Sequence, residues 1–374
     1  MIRAAVVGTG FIGVVHVEAL RRLGVEVTGV VGSSPERARQ KEGLPDPYSS
    51  FEAMLEDDRV QVVHLTTPNH LHHRQVKAVL AAGKHVVCEK PLALTSAESV
   101  ELLGLAGESG LVHCTNYNIR FYPLLHESRE RIRRGELGRI WNAHGAYAQD
   151  WLQLETDWNW RLDPELGGSL RAVADIGTHW LDLVGWITGR RVQSVFGDLC
   201  TVHPVRRVPS GPVETYADVG DVERADREMS TDDVAHILLR YDDGTRGQVT
   251  ISQVSAGRKN QISFQIDGSE GALAWSSERQ EELWLGHRDR PNEILYRDPA
   301  MMHGAVRGDF PAGHAEGFAD TFKQLYRAVY AAVEEGRMPA DPDFPTFADG
   351  HEEILLGEAI ARSAREERWV PVER

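Results

Sequence analysis

The sequence has little cysteine, a deficit of positive charge and no long hydrophobic run. No apolar stretch approaches the ~18–20 residues that cross a bilayer, which argues against a membrane-spanning protein. The three cysteines, Cys88, Cys114 and Cys200, are odd in number and widely spaced. Cys88 and Cys114 each lie in an apolar strand-like run, so buried free thiols fit better than a disulfide or a metal set. The 41 Lys and Arg against 56 Asp and Glu give a net charge of -15, which argues against a nucleic-acid partner.

At 374 residues the chain exceeds the ~250–300 residues at which a single core stops growing, so its length predicts two domains. The hydrophobic fraction of 41% and the charged fraction of 26% are ordinary for a globular protein. The first strand-like run begins at Ile2 and leaves no room for a signal peptide. We therefore expect a cytoplasmic protein that has neither a membrane nor a nucleic acid as a partner.

The first thirty residues predict a dinucleotide-binding unit. Ile2–Val7 and Val25–Val31 are apolar runs with β-branched residues, typical of strands. Between them lies a helical pattern that follows a glycine-rich turn, Gly8-Thr9-Gly10-Phe11-Ile12-Gly13. Strand, G-x-G-x-x-G, helix and strand follow one another in the order of that unit. Gly8 permits the tight turn, Gly10 the approach of a pyrophosphate, and Gly13 close packing of helix on strand. The phosphates would then lie at the helix N-terminus.

The second strand ends without the carboxylate that would bind the ribose 2′-hydroxyl of NAD. The positions there are Gly32, Ser33 and Ser34, with Arg37 on the following helix. Because serine and arginine suit a 2′-phosphate better, the sequence favours NADP over NAD. The third strand ends in Thr66-Thr67-Pro68-Asn69. Loops at the carboxyl ends of parallel strands line the ligand crevice, so we expect this loop to border the cofactor.

Strand-like and helical runs alternate as far as about residue 120. After the first two strands, the strand-like runs are Val60–Leu65, His85–Cys88 and Leu111–Cys114. This alternation predicts an α/β domain, residues 1–120, that binds NAD(P) on a doubly wound parallel Rossmann sheet. Residues 121–374 contain strands in succession with few helices between them. That pattern predicts an α+β substrate-binding domain with a large, mostly antiparallel open sheet.

The second domain is predicted to combine seven strands with helices at both ends. The strands are Ile140–Ala148, Val192–Leu199, Val234–Tyr241, Thr245–Val254, Gln261–Ile266, Ala272–Trp275 and Glu282–Gly286. The helices are Phe121–Arg134, Asp175–Thr188, Gly313–Glu335 and Asp349–Arg365, the last two of which can pack back on the Rossmann domain. Asp242-Asp243-Gly244 predicts a hairpin turn. Val202–Asp233, first Pro-rich and then acidic, predicts a long excursion from the sheet.

Four motifs occur in an order that identifies a family. They are the turn Gly8–Gly13, Thr67-Pro68-Asn69-His70-Leu71-His72, Glu89-Lys90-Pro91 at the end of the fourth strand, and Asp175-Ile176-Gly177-Thr178-His179. Together they resemble the glucose–fructose oxidoreductase/inositol dehydrogenase (Gfo/Idh/MocA) family over nearly the whole chain. The sequence departs from that family at the second strand end, where the acidic residue of the usual NAD contact is missing.

The resemblance implies an NAD(P)-dependent oxidoreductase with a catalytic set of Lys90, Asp175 and His179. It also implies a contact of His72 on the cofactor side. Glu89 and Lys90 leave the carboxyl end of a strand, so we expect both to border the cofactor.

These residue types suit the oxidation of a secondary alcohol on chemical grounds alone. A histidine with a pKa near ~6.5 can take the hydroxyl proton at neutral pH, and a lysine ammonium can stabilise the negative charge that develops on the oxygen. Asp175 and His179 are spaced i, i+4 and share a face if the stretch is helical. Asp175 could orient His179, hold Lys90 or bind a second hydroxyl. Whether Lys90 or His179 is the immediate base stays open.

Two nearby groups have simpler interpretations. Asp182 is interpreted as a packing carboxylate on the same helix and is left out of the catalytic set. The cluster of His70, His72 and His73 has no carboxylate or cysteine partner at a metal-site spacing, so no metal is expected. His70 and His73 are expected on the surface.

The loop Trp151–Arg161 predicts a carbohydrate contact. Trp151, Trp158 and Trp160 offer aromatic faces for the C–H faces of a sugar, and Arg161 can bind hydroxyls. The alternative is that the tryptophans pack an interior. Asn118 and Arg120, just after the last Rossmann strand, are expected to bind the substrate as well, with Tyr117 beside them and His314 reaching the site from a late helix.

The sequence therefore predicts an oxidoreductase, with hydride transfer to nicotinamide, that acts on a secondary hydroxyl of a sugar, glycoside or inositol-like polyol. A homo-oligomer, dimer or tetramer, is expected, with contacts through the second-domain sheet. One alternative is redox-assisted glycoside cleavage, in which the cofactor is recycled. Another is a non-catalytic nucleotide-sensing regulator on the same fold, which could dispense with the proton-transfer residues.

Overall fold

The computed structural model describes residues 2–211, 222–303 and 308–374. Within these ranges the chain forms two compact units. The first contains residues 2–118, 165–168 and 319–354. The second contains residues 119–164, 169–318 and 355–374.

The helices of the described residues alternate with strands in the first third of the chain and are sparse afterwards. In chain order they are α1 (Phe11–Arg22), α2 (Pro35–Arg39), α3 (Phe51–Leu55), α4 (His72–Ala81), α5 (Ser96–Ser109), α6 (Pro123–Arg133), α7 (Pro164–Gly167), α8 (Thr178–Thr188), α9 (Phe318–Glu335) and α10 (Phe347–Glu366). Within the described ranges, no helix is both long and apolar enough to cross a membrane.

The strands of the described residues fall into three sheets. They are β1 (Arg3–Val7), β2 (Glu26–Val31), β3 (Val62–Leu65), β4 (His85–Cys88), β5 (His113–Thr115), β6 (Ile140–Ala148), β7 (Val192–Cys200), β8 (Val205–Pro209), β9 (Arg224–Glu228), β10 (Val234–Tyr241), β11 (Arg246–Ser252), β12 (Gln261–Gly268), β13 (Ala272–Ser276), β14 (Glu282–Gly286), β15 (Glu293–Tyr296) and β16 (Val370–Pro371).

The first unit contains a five-stranded parallel sheet in the order β2-β1-β3-β4-β5. This confirms the predicted α/β domain. All four residues of β3 are buried, as expected for a parallel sheet that is covered on both faces. The strand order changes direction between β1 and β3, so the loops that leave these two strands border the crevice where such sheets bind ligands.

Helix boundaries in the first unit follow capping residues that are visible in the sequence. Ser34 caps α2 by accepting a hydrogen bond from the Arg37 N–H at 3.2 Å. Thr95 caps α5 in the same way through the Glu98 N–H at 3.2 Å, as its spacing predicts. Gly110 ends α5 with a φ of 66°, in the left-handed region that favours glycine.

The second unit contains a nine-stranded sheet in the order β15-β14-β13-β12-β6-β11-β10-β7-β16. The predicted mostly antiparallel sheet is confirmed, with one exception, since the central pair β6 and β11 is parallel. Helices α6 and α8 supply the core on one face, where Trp180 is fully buried and donates from Nε1 to Ser263 O at 2.9 Å. Along β10 buried and exposed residues alternate, so the opposite face is open.

The predicted hairpin holds, and the start of one late helix is corrected. The hairpin at Asp242-Asp243-Gly244 is confirmed, with Gly244 at a φ of 90°. The late helix predicted from Gly313 begins at Phe318 instead, because Gly313 has a φ of 80° that a helix cannot contain. The predicted excursion Val202–Asp233 contains a two-stranded sheet of β8 and β9, and its part 212–221 lies outside the described residues.

Candidate active site

The turn between β1 and α1 has the geometry of a phosphate cradle. Gly8 has a φ of 110°, and a side chain there would overlap Thr66. A side chain at Gly13 would overlap the Gly8 carbonyl oxygen, whereas a Cβ at Gly10 would meet nothing within 4 Å. Gly10 has no side chain to cap α1, and the first turn of α1 has no acidic residue. The turn, including Thr9, Phe11 and Ile12, therefore fits the pyrophosphate of a dinucleotide.

The loop after β3 closes one side of this turn. The Thr66 hydroxyl donates to Val7 O at 2.9 Å and to Gly8 O at 3.1 Å. Thr67 donates to Gln75 Oε1 at 2.6 Å. Pro68 follows, and Asn69 donates from Nδ2 to Gly167 O at 3.0 Å, which ties the 165–168 segment to the same unit.

His72 connects two loops of the candidate site. Its side chain is fully buried, with Nδ1 2.7 Å from Pro91 O and Nε2 2.8 Å from Thr67 O. Burial lowers the pKa of His72, so near neutral pH the ring carries one proton and donates it to one carbonyl at a time. The ring contacts the backbone of the two loops, and its predicted contact on the cofactor side stays a prediction. His70 is exposed, and His73 is half-buried against Glu101 at 2.7 Å.

The end of β2 presents small polar groups, as predicted. Ser33 and Arg37 are exposed, and Ser34 is engaged as the cap of α2. One carboxylate lies in the same turn, at the exposed Glu36. A hydrogen bond from its own backbone N–H and one with Ser34 hold the pKa of Glu36 below its usual range, so it is ionised at neutral pH.

Glu89 lies at the end of β4, is 7% exposed and accepts hydrogen bonds from three elements. His16 Nε2 lies 3.0 Å from its Oε1, and Asn116 Nδ2 donates to the same oxygen. The Lys90 backbone N–H donates to Glu89 Oε2 at 3.3 Å. Lys90 itself is half-buried, and its peptide bond to Pro91 is cis.

Two residues after β5, Asn118 and Arg120, are predicted to bind the substrate. Each contacts a residue of its own unit. Asn118 is buried and donates from Nδ2 to Thr321 Oγ1 at 2.7 Å. Arg120 is buried and forms a two-pronged ion pair with Asp182, with Nε 2.8 Å from Oδ2. The guanidinium of Arg120 thus neutralises a buried carboxylate, and its predicted contact with the substrate stays a prediction. The interpretation of Asp182 as a packing residue is confirmed.

Asp175 lies in a single turn of π-helix, Val173–Gly177, directly before α8. The Thr178 N–H donates to Val173 O, five residues earlier, instead of closing an α-turn. Such turns occur often at functional sites because they redirect one side chain out of the helix face. The predicted helix Asp175–Thr188 is thus α-helical only from Thr178. Asp232 fixes the segment by accepting from the Val173 N–H at 2.8 Å.

Both carboxylate oxygens of Asp175 accept hydrogen bonds. Arg161 Nε lies 3.1 Å from Oδ1, and Gln253 Nε2 lies 2.7 Å from Oδ2. Arg161 also donates to Asn159 Oδ1 at 3.1 Å, and its guanidinium lies 4.5 Å from the centre of the Trp160 ring. The carboxylate is therefore held in one orientation beside an aromatic face.

Two glutamines complete this cluster, and no motif in the sequence indicates them. Gln149 and Gln253 directly follow the parallel neighbours β6 and β11, and Gln253 donates to Gln149 Oε1 at 3.1 Å. The Trp151 ring donates to the same oxygen at 2.8 Å. Arg171 donates to Gln253 Oε1 and pairs with buried Asp233, so the amide of Gln253 has one orientation.

His179 and the remaining aromatic residues of the predicted site belong to the second unit. His179 is 8% exposed on the first turn of α8, with its ring centre 6.3 Å from that of Tyr147. Trp158 lies under the guanidinium of Arg227 from β9, at 5.2 Å. His314 is exposed in the loop before α9, so the prediction that a helix carries it is corrected.

Two of the three cysteines lie inside the parallel sheet. Cys88 and Cys114 are buried thiols in β4 and β5, as predicted, and burial raises the pKa of Cys88 well above its usual value. Among the described residues, no three His, Cys, Asp or Glu side chains are arranged to hold a metal ion.

Comparison with known proteins extends over both units. Residues 2–117 match the model of an oxidoreductase family with an NAD-binding Rossmann fold, and residues 125–274 match the GFO/IDH/MocA C-terminal domain. A levoglucosan dehydrogenase of Pseudarthrobacter phenanthrenivorans is 30% identical over 389 positions, which cover 99% of this chain and 98% of that protein.

Solved structures resemble the chain over the same extent. Levoglucosan dehydrogenase in complex with NADH and L-sorbose has a TM-score of 0.89 at 28% identity, covering 100% of this chain and 99% of that one. An inositol dehydrogenase homologue from Azotobacter vinelandii, complexed with NAD+, has a TM-score of 0.86 at 26% identity, covering 99% and 97%.

Proposed function

Since this chain belongs to the Gfo/Idh/MocA family of oxidoreductases, we propose that it is an NAD(P)-dependent sugar or polyol dehydrogenase. It oxidises a secondary hydroxyl of a sugar, glycoside or inositol-like polyol, or reduces the corresponding ketone. The observation that carries the proposal is the cluster around Asp175. Its carboxylate is oriented by Arg161 and Gln253 beside the Trp160 ring, on a chain that also has an open glycine cradle for a dinucleotide.

The cofactor is held by the loops that leave β1, β2 and β3. Gly8–Gly13 binds the pyrophosphate, Ser33, Ser34 and Arg37 bind at the adenosine ribose, and Thr66–Asn69 closes the crevice. When bound, the nicotinamide ring accepts a hydride from the substrate carbon. We favour NADP because the end of β2 lacks a carboxylate and presents two serines and an exposed arginine. The NADH and NAD+ found with the two similar structures make NAD the alternative to test.

The proton of the substrate hydroxyl is moved by residues of this chain. His179 accepts it as general base, and the Lys90 ammonium stabilises negative charge on the reacting oxygen. Asp175 binds a second hydroxyl or orients these groups, since Arg161 and Gln253 fix its two oxygens. In the alternative assignment Lys90 is the general base in place of His179. A pH profile of kcat/KM tests which of the two residues it is.

The substrate is a polyhydroxylated ring. The face of Trp160 suits the C–H face of such a ring, and Arg161 and Asp175 offer a donor and an acceptor to its hydroxyls. Trp151 and Trp158 belong to the same loop. The names of the two similar proteins, a levoglucosan and an inositol dehydrogenase, agree with a cyclic polyol.

We also propose a homo-oligomer, dimer or tetramer, assembled through the open face of the nine-stranded sheet. The registers of the strands place one row of residues across that face, namely Leu238, Gln248, His144, Gln265, Ala274, Trp284 and Ile294. The row is polar in its middle and apolar at both ends, where Leu238 is 44% and Ile294 49% exposed, a mixture that suits an interface with a second copy. A cytoplasmic location stays a prediction.

A panel of sugars, anhydrosugars and cyclitols, each with NAD and with NADP, tests the proposal through the absorbance of the reduced nicotinamide. We expect one substrate class to reduce the cofactor in proportion to the substrate consumed. Substrate loss without net cofactor reduction indicates redox-assisted cleavage instead. Tight cofactor binding with no turnover in either direction indicates the nucleotide-sensing regulator.

A further inference from the structure

A row of four buried side chains ends at Glu89, next to Lys90. His16 Nε2 lies 3.0 Å from Glu89 Oε1, and His16 Nδ1 lies 3.0 Å from His64 Nδ1. His64 Nε2 lies 3.0 Å from the Tyr330 hydroxyl. The four come from α1, β3, the end of β4 and α9, all within the first unit, and each is at most 7% exposed. We call these residues the buried histidine chain.

The direction of the hydrogen bonds in this chain follows from the charge of His16 when Glu89 is ionised. A carboxylate only accepts, so His16 donates through its Nε2–H and, as a neutral ring, accepts at Nδ1. His64 then donates through its Nδ1–H and accepts at Nε2 from the Tyr330 hydroxyl. One further proton on His16 Nδ1 reverses the outer half, because His64 must then accept at Nδ1 and donate from Nε2. The tautomer of His64 therefore reports the charge of the Glu89–His16 pair.

Burial fixes the charge of the two groups at the outer end of the chain. Burial holds the pKa of His64 well below 6.5, so that ring is neutral, and burial holds the pKa of Tyr330 well above 10, so the phenol keeps its proton. Burial acts to raise the pKa of Glu89, but the hydrogen bond and charge of His16, the charge of Lys90 and the bond from Asn116 together lower it. Glu89 is thus ionised and His64 neutral near neutral pH, and the tautomer of His64 then reveals which charge His16 carries.

We propose that His16, His64 and Tyr330 are positioning residues, which keep Glu89 ionised and in one orientation and so hold Lys90 for its part in the reaction. This inference rests on the proposed function. The link to Lys90 is direct, since Glu89 Oε2 accepts its backbone N–H at 3.3 Å and the carboxylate attracts its ammonium. The other polar groups that face or influence Glu89 are Asn116 after β5, Tyr326 of α9, His72 of α4 and Cys88 of β4.

Helix α9 offers a matched pair of substitutions. Tyr330 and Tyr326 lie one turn apart, both buried and both within 6.0 Å of the His64 ring between ring centres. The Tyr330 hydroxyl contacts His64, whereas the Tyr326 hydroxyl has no hydrogen-bond partner among the described residues. Tyr330→Phe therefore cuts the chain, and Tyr326→Phe removes an equivalent hydroxyl without cutting it.

The tautomers are measured by ¹⁵N NMR of the histidine rings in the full chain without substrate, assigned with His16→Gln and His64→Gln. We expect wild-type His64 to hold a single tautomer at neutral pH, with His16 protonated on Nε2 against Glu89. In Tyr330→Phe the Nε2 of His64 loses its partner, so the pH at which His64 changes tautomer should move by about 0.5–1 unit, the worth of one hydrogen bond. Tyr326→Phe should leave that pH unchanged. A wild-type His64 that mixes both tautomers evenly, or equal shifts in both variants, overturns the proposal.

Kinetics supply the second readout. His16→Gln keeps one N–H for Glu89, whereas His16→Leu removes it and should raise the pKa of Glu89 by about 1–2 units. We expect kcat on the acid side to fall about 10-fold in His16→Leu, with KM for the cofactor unchanged and most of the loss restored in His16→Gln. Equal losses in the two variants mean that His16 only packs. If His16→Leu does not fold, Tyr330→Phe and Tyr326→Phe decide, with acid-side kcat lowered only in the former.

The two proposals fail in different ways. A wild-type protein that oxidises none of the sugars or polyols contradicts the proposed function, while the NMR comparison of Tyr330→Phe and Tyr326→Phe still decides whether the chain sets the charge of Glu89. An active wild-type protein whose His64 tautomer and acid-side kcat are untouched by Tyr330→Phe contradicts the positioning role alone.

Discussion

Gln253 holds Asp175 through a hydrogen bond of 2.7 Å from its Nε2 to the carboxylate Oδ2. The amide cannot turn around, because its Oε1 accepts from Arg171 and its Nε2 also donates to Gln149. Gln253 is fully buried, so the bond is shielded from water. The orientation of the candidate catalytic carboxylate therefore depends on a residue that lies 78 positions away in the chain.

Gln253→Glu is expected to lower kcat/KM by about 10- to 100-fold, the worth of a hydrogen bond to a charged group. The substitution replaces a donor by a second carboxylate against Asp175, so a partial recovery at lower pH should follow when the pair takes up a proton. Gln193→Glu, at an exposed position of β7, is the control for an added charge. Unchanged kinetics in Gln253→Glu would remove Asp175 from the site.

Lys90→Ala and His179→Ala are each expected to lower kcat by about 10²–10⁴ with cofactor binding retained, as for a positioned acid–base group. Because such groups act as a unit, the double variant should lose far less than the product of the single losses. Asp175→Asn should be milder than either. The pH profile of kcat/KM with a substrate deuterated at the oxidised carbon identifies the base. If the acid limb survives in both single variants while hydride transfer limits the rate, neither residue is the base.

NADP is expected to bind at least as tightly as NAD. Ser33→Asp should shift the preference towards NAD, because a carboxylate there accepts from the ribose 2′-hydroxyl and repels a 2′-phosphate. Glu36→Gln should strengthen NADP binding more than NAD binding, since it removes the ionised carboxylate of the same turn. Dissociation constants of both cofactors check this. A strong wild-type preference for NAD that Ser33→Asp does not change contradicts the 2′-phosphate hypothesis.

Trp160→Ala is expected to raise KM for the sugar by an amount worth roughly 1–3 kcal/mol, the value of burying a large side chain, while cofactor affinity stays the same. Trp158→Ala should raise KM less, because its ring lies under Arg227 of β9, whereas Trp160 lies under Arg161, the partner of Asp175. Substrate saturation curves and thermal unfolding of both variants are compared. A loss of stability at unchanged KM in both would show that the tryptophans belong to the core.

The first unit is expected to lose stability as the pH falls from about 6.5 towards 4. Burial lowers the pKa of His113 to about 4, so between these values the unfolded chain binds a proton that the folded unit excludes. The contribution of His113 to the free energy of unfolding is complete above pH 6.5. It decreases by about 2 kcal/mol between pH 7.5 and pH 5. His113→Asn keeps an acceptor for the Phe347 N–H, which now bonds to Nδ1 at 3.3 Å. Urea unfolding at the two pH values should show a smaller pH dependence in this variant, and an equal one would contradict the assignment.

Local signals in the sequence were sufficient for the architecture of each unit. Strands β6, β10 and β14 have the bounds that alternation predicts, because period-two burial is a property of neighbouring residues. The Gly8–Gly13 turn is likewise readable, since a φ of 110° at Gly8 and the contact of Gly13 with its carbonyl require glycine. These features depend on at most a few consecutive positions.

The sequence by itself determined the family, the glycine cradle and the candidate residues Lys90, Asp175 and His179. Only the tertiary structure decided that Arg120 neutralises Asp182, that Gln149 and Gln253 meet 104 positions apart, and that His16 and His64 form a buried chain with Glu89. Each of these relationships depends on the register between distant strands and helices. A hydrogen bond requires that register within a few tenths of an ångström, which hydrophobic periodicity does not encode.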